Sequence, residues 1–172
     1  MSVKYLNLRV RHAKSEDAPA VLEAERLITL EPGQLIARPH ELRIDEIREK
    51  IRVLADHPRG AFFVAEMEGE VIGHGILDPL NLEAVQHVCN LIVVVYPKHQ
   101  GRGAGENLLA NMIQWAQTRS LLEKVECQVC ATNSRAVALY SKKGFREEGR
   151  WSRRIKLGDD IYVDSVMMGL WL

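Results

Sequence analysis

Pro97-Lys98-His99-Gln100-Gly101-Arg102-Gly103-Ala104-Gly105 stands between the two most decisively patterned segments of the chain. Before it, His87 to Val95 is a long β-branched run, the composition of a buried strand, which Pro97 closes. After it, Leu108, Leu109, Met112, Ile113 and Ala116 recur at helical spacing over about four turns. The stretch therefore joins a strand to a helix. Its three glycines, Gly101, Gly103 and Gly105, let the backbone turn tightly and face N–H groups outward without a Cβ in the way. Those donors, together with the unsatisfied amides of the following helix's first turn, make a seat for a phosphate or diphosphate. A Walker A loop, G-x-x-x-x-G-K-S/T, does not match. A dinucleotide G-x-G-x-x-G fingerprint fails too, because its last position falls on Glu106 or Leu108. What remains is Q/R-x-x-G-x-G/A, carried by Gln100, Gly103 and Gly105, or a plain strand-to-helix turn.

Outward from this turn the periodicity alternates. Leu6 to Arg11 predicts a first strand. Ser15 opens a helix with Pro19 in its first turn, and Val21, Leu22, Ala24, Glu25 and Ile28 form a partial apolar stripe before Pro32-Gly33. Ile44, Ile47, Ile51 and Leu54 predict a second helix running to about His57. Ala61–Met67 and Glu70–Leu77 flank Glu68-Gly69 as a hairpin. After the central helix come a short strand, Val125 to Val129, and a helix through Ala136 and Tyr140 that Gly144 ends. Late strands follow at Phe145–Ile155 and Tyr162–Leu170, joined through Gly158-Asp159. The order β-α-α-β-β-β-α-β-α-β-β predicts one α/β domain, a mixed sheet with helices on its faces.

A second motif narrows the reading of the turn. Asn133-Ser134-Arg135-Ala136-Val137-Ala138-Leu139-Tyr140-Ser141-Lys142-Lys143-Gly144-Phe145 follows the glycines after one short strand. Asn133 suits an N-cap, Tyr140 lies two helical turns further along roughly the same face, and Gly144 releases Phe145 into the next strand. The glycine turn resembles the pyrophosphate-binding motif of the GNAT superfamily of acetyl-CoA-dependent N-acyltransferases. The second segment resembles that superfamily's N-x-x-A-x-x-L-Y-x-x-x-G-F at every one of these positions. With Leu8 to Ala13 and Asp17-Ala18 resembling its opening, the likeness spans residues 5–172.

The resemblance implies a single-domain fold of about seven strands and about four helices, its central sheet splayed into a V-shaped opening. It implies acetyl-CoA as acetyl donor. Gln100, Gly101, Arg102, Gly103, Ala104 and Gly105 would hold the diphosphate, the backbones of Val93 and Val95 the pantetheine arm, and Asn133 a cofactor amide. Acetyl transfer needs a neutral amine, yet an alkylamine titrates near about 10.4 and must first lose a proton. Tyr140 is the expected general acid for the departing thiolate. Branches similar to phosphinothricin acetyltransferase carry H-x-x-D/E before the V-x-V-x-P run; here His87-Val88-Cys89-Asn90 puts an amide in that place. Asn90 orienting a water, His87, or Glu83 in the preceding loop are the alternatives for the base. Tyr162 and Asp164 resemble a G-x-Y-x-D element beside the acceptor pocket, which residues 27–59 would shape.

Composition agrees with a globular domain. The chain has 172 residues, 47% hydrophobic and 27% charged, with 23 basic against 23 acidic side chains. A zero balance removes the usual electrostatic ground for nucleic acid or an anionic membrane as partner. No apolar stretch approaches membrane-spanning length. Three cysteines suit a cytoplasmic protein, and Cys127-Gln128-Val129-Cys130, with no matching pair nearby, predicts neither zinc nor redox chemistry. The expected reaction is direct acetyl transfer to a primary amine of a small molecule (an amino acid or analogue, a polyamine or an antibiotic). An acyl-CoA-binding module and an acetyltransferase for protein N-termini are the alternatives. A homodimer paired through the apolar final strand, Val166 to Leu172, is a further expectation.

Overall fold

The computed structural model describes residues 7–118 and 121–172. Tyr5 and Leu6, where the domain and its first strand were expected to begin, lie outside the described residues. The observed order is β1 (Leu8–His12), α1 (Ala18–Ile28), α2 (Ile44–Leu54), β2 (Ala61–Met67), β3 (Glu70–Pro79), β4 (Val88–Val95), α3 (Ala104–Gln117), β5 (Lys124–Cys130), α4 (Ser134–Lys142), β6 (Arg146–Gly158) and β7 (Ile161–Trp171). The expected succession of elements is therefore present, with ends differing by a few residues. Short 3₁₀ turns at Ser15–Asp17, Pro39–Glu41, Glu83–Val85 and Pro97–His99 fill parts of the connections. Among the described helices, none is long and apolar enough to cross a membrane.

One seven-stranded sheet runs β1-β2-β3-β4-β5-β7-β6. Its first hairpin turns on Glu68 (φ 52°) and Gly69 (φ 83°), the paired left-handed residues of a type I′ turn. Every described pair is antiparallel except β4 with β5. The expectation that the final strand pairs across a dimer is corrected here: β7 lies inside the sheet, hydrogen-bonded to β5 and β6 on its two sides. The edge belongs to β6, exposed along most of its length.

Side-chain alternation sorts the sheet into two faces. Phe63, Leu91, Val125 and Cys127 pack with Leu108, Leu109 and Met112 of α3 and Tyr140 of α4. Phe62 and Val64 turn the other way onto Val21 of α1 and Ile51 and Leu54 of α2. Val94 also faces that side, against Ala24 and Ile28. At Gly75 the α3 packing is so close that a Cβ would collide with Met112 Sδ. Gly75→Ala is accordingly expected to cost about 1–3 kcal/mol in urea unfolding, and Met112→Ala about 2–5 kcal/mol. The double variant should lose less than the two costs added, because the shorter side chain vacates the colliding volume. Strict additivity would show that the contact relaxes without cost.

Candidate active site

The register between β4 and β5 creates the opening. Val88, Cys89 and Asn90 pair with Lys124, Val125 and Glu126, and the pairing then stops. Beyond Asn90, β4 stays with β3 while β5 stays with β7, so the sheet forks. Antiparallel residues direct their main-chain groups to alternate sides. Tyr96 N–H donates to the carbonyl of Ile72 on β3 (3.0 Å), which orients the even-numbered residues of β4 toward β3. The odd-numbered Leu91, Val93 and Val95 therefore turn their amides and carbonyls into the fork. Gln100 Nε2 donates to the Val95 carbonyl (3.1 Å), and the Val93 main chain hydrogen-bonds the Tyr140 phenol.

The glycine turn leads from this strand into α3. Gly101 (φ 78°) and Gly103 (φ 92°) are left-handed, a conformation that only glycine adopts without strain. Gly103 is the N-cap of α3 and offers no side-chain cap, so first-turn amides of the helix stay open. A crevice of about 380 Å³ runs along this loop, lined by Val93, Val95, Gln100, Gly101, Gly103, Gly105, Asn133, Arg135 and Lys142, among others. Arg135 Nη1 donates to Gln100 Oε1 (3.2 Å), while Lys142 pairs with Glu106 (2.9 Å). Ala104 is buried, and Arg102 is exposed and not part of the crevice lining. Asn133 Oδ1 accepts from Ala136 N–H, capping α4, and its Nδ2 donates to Gln34 Oε1.

A larger cavity of about 650 Å³ adjoins the crevice, sharing Gln34, Val93, Asn133 and Ala136 with it. Its walls are Glu25 of α1, residues 33–37 and Leu42, the forked ends of β4 and β5, Tyr140, and Trp151, Ile155 and Met167. Leu35, Ile36 and Leu42 give one wall an apolar surface. Tyr140 is buried and its ring packs on Phe145 (centroids 5.4 Å apart). Burial, reinforced by Cys127, raises the phenol well above its ordinary value, and the Val93 main chain offsets part of that rise. Burial pushes the Cys127 thiol up to about 12, so it is not a ready nucleophile. Cys130 Sγ instead contacts Thr132 Oγ1 at 3.0 Å.

The groups considered for the base separate in space. Asn90 lines the cavity at the fork. His87 precedes β4, stacks on Trp171 (6.5 Å, 21° between planes) and lies outside the cavity lining, as does the exposed Glu83. Tyr162 stacks beneath Arg153 and Lys156, and Asp164 accepts from the Arg153 amide; neither lines the cavity. Two carboxylates that the sequence did not single out do line it: Glu25 and Glu126. Glu126 is bound by Lys124 Nζ at 2.8 Å. Glu25 Oε1 lies 3.0 Å from Nε2 of the fully buried His74. The signal for Glu25 was a glutamate within the apolar stripe of α1; Arg135 and Lys142 stood as cations at variable places of the second motif.

Residues 24–145 match the profile of the Acetyltransferase (GNAT) family. The chain is 28% identical over 162 residues to the L-amino acid N-acetyltransferase AaaT of Escherichia coli, covering 92% of this chain and 94% of that protein. Its fold superposes on the GNAT-family acetyltransferase of Streptococcus pneumoniae with a TM-score of 0.89, at 24% identity over 96% of this chain and all of that one. It also superposes on a phosphinothricin acetyltransferase of Sinorhizobium meliloti solved with acetyl-CoA, with a TM-score of 0.87, 19% identity, and coverage of 97% and 89%.

Proposed function

The chain belongs to the GNAT acetyltransferase family and is an acetyl-CoA-dependent N-acetyltransferase, and from that premise we propose how its residues divide the work. The acceptor is the primary amine of a small molecule. The named activity of the Escherichia coli relative supports this, and a cavity of about 650 Å³ is of small-molecule size.

The donor's diphosphate rests on the main-chain amides from Gln100 to Gly105 and the start of α3, with Arg135 and Lys142 supplying positive charge. Its pantetheine arm follows the Val93 and Val95 backbone, whose outward-facing groups would otherwise lack a strand partner. The amine approaches from the α1 side and, once neutral, attacks the thioester carbonyl. A main-chain donor at the fork stabilises the oxyanion, the carbon–sulfur bond breaks, and Tyr140 passes its phenolic proton to the thiolate. The amide nitrogen then gives up its extra proton, which restores the phenol. Asn90, at the last paired position, is placed to hold a water that carries protons outward. Buried free thiols at Cys89, Cys127 and Cys130 support a cytoplasmic, reducing location.

The fork between β4 and β5 carries this reading, since it opens beside both the crevice along the glycine turn and the adjoining cavity. Thiol release from acetyl-CoA, measured with a panel of primary amines, tests it. Release with at least one amine is expected; donor binding without release for any acceptor overturns catalysis. Arg135→Ala should raise the acetyl-CoA KM by about threefold and leave kcat unchanged, the small size following from its exposure.

A further inference from the structure

We propose that Glu25, oriented by His74, receives the acceptor's ammonium group and takes its first proton. The inference rests on the acetyltransferase reading above and assigns the half of the reaction that Tyr140 does not perform. Glu25 belongs to α1 and His74 to the middle of β3, so only the packed fold brings them together. His74 is fully buried and its Nε2–H donates to Glu25 Oε1 at 3.0 Å. Glu25 Oε2 makes no hydrogen bond among the described residues, and the carboxylate borders the cavity. Phe62 and Tyr96 pack around the imidazole with centroids 5.7 and 5.8 Å away, which holds the ring in place.

The charge pattern of the cavity separates its two carboxylates. Glu126 already has the ammonium of Lys124 at 2.8 Å, and Lys124 also binds Glu148. Among the described residues Glu25 has no lysine or arginine within ion-pair distance, His74 being its one such partner, and none of those lining the cavity is Lys, Arg or His. A partly buried carboxylate facing a cavity whose described lining carries no Lys, Arg or His is a complementary seat for an ammonium. The same pattern disfavours an acceptor that carries a carboxylate beside its amine, because no lining cation would offset that charge. The favoured acceptor is thus a molecule charged only at its amine, with an apolar part to meet the wall of Leu35, Ile36 and Leu42.

The steps balance. An N–H bond of the ammonium breaks and an O–H bond forms on Glu25. The neutral nitrogen attacks the thioester, and its second surplus proton replaces the one that Tyr140 gives to sulfur. Glu25 releases its proton to water, so each turnover yields amide, thiol and one proton. Val93 explains how the two residues cooperate. Its main chain contacts the Tyr140 phenol on the α4 side, while the neighbouring Val94 packs against α1, so acid and base approach the fork from opposite faces.

The test uses the whole protein and four acceptors: benzylamine, charged at neutral pH; aniline, neutral there; phenylalanine; and phenylalanine amide. Glu25→Gln retains an oxygen for His74 and should fold. Its kcat/KM for benzylamine is expected to fall about 10²-fold, and for aniline no more than about threefold, because aniline arrives without the proton to be removed. His74→Asn should lower kcat for benzylamine in the same selective way, with Glu25→Asp partly active, whereas a merely structural defect would depress both acceptors alike. Phenylalanine amide should exceed phenylalanine by at least about tenfold in kcat/KM. Equal loss for benzylamine and aniline, or no loss in Glu25→Gln, overturns the role of Glu25. A wild-type protein that binds acetyl-CoA yet releases no thiol with any of these amines overturns the acetyltransferase reading itself.

Discussion

Replacing Tyr140 with phenylalanine should lower kcat at least about tenfold, within the range of about 10²–10⁴ that positioned proton transfer supplies, while the acetyl-CoA Kd stays near that of the wild type. The ring is fixed independently of its hydroxyl: it packs on Phe145, and the α4 carbonyl at position 140 accepts from the Phe145 amide (3.1 Å). The substitution therefore removes one oxygen and leaves the helix in place. A phenol raised above its ordinary value is on its face a weak acid toward a thiolate. The cavity answers that objection, because the burial that raises Tyr140 also pushes the neighbouring Cys127 thiol up to about 12. A coenzyme thiolate expelled into the same surroundings becomes more basic in parallel, so the difference between donor and acceptor does not widen. The Val93 main chain at the phenol oxygen further steadies the transient phenolate. Calorimetry for donor binding and a thiol-release assay for turnover separate the two effects. Unchanged kcat in Tyr140→Phe would reduce the tyrosine to a packing residue.

The chain's legibility follows from where each piece of information resides. Local patterns placed β4, the glycine turn, α3 and the Asn133–Phe145 segment, because turn and cap residues act within a few positions of themselves. Gly144 (φ 93°) and the Glu68-Gly69 turn are of this kind. The fork between β4 and β5 is not: it depends on a register that ends after three pairs and on β7 holding β5 away. The placement of β7 inside the sheet is equally non-local, which is why an apolar last strand reads as an edge from sequence. Glu25 and His74 stand 49 residues apart, and each separately has the appearance of ordinary core or surface. His87 carried the suitable chemistry in sequence, yet the chain turns it onto Trp171. Residues 33–37 acquire meaning only once they lie beside β5, where a Cβ on Gly33 would meet Thr132 Oγ1 at 2.9 Å.

Gly103→Val should raise the acetyl-CoA KM by about tenfold or more, the largest effect on donor binding expected from a single change in the loop. The cause is backbone conformation and not lack of room. A Cβ built on Gly103 meets nothing within 4 Å, yet the residue sits at φ 92°, where a β-branched side chain costs about 1–3 kcal/mol. The chain can escape that strain by rotating the peptide, and rotation displaces the Gly103 carbonyl that accepts from the Asn107 amide (3.1 Å) and from Asn107 Nδ2 (3.2 Å). The start of α3 then unwinds and its open amides no longer converge on the diphosphate. Two controls isolate the cause. Gly103→Asn, a residue that tolerates the left-handed region, should recover most of the affinity despite its larger side chain. Gly105→Ala tests size instead: its Cβ comes within 3.2 Å of Val95 Cγ2 and 3.5 Å of Leu139 Cδ2, so it narrows the crevice without a left-handed φ. A KM that rises with side-chain volume at position 103, Asn included, would mean that the loop is merely crowded, and that its left-handed geometry is not what holds the diphosphate.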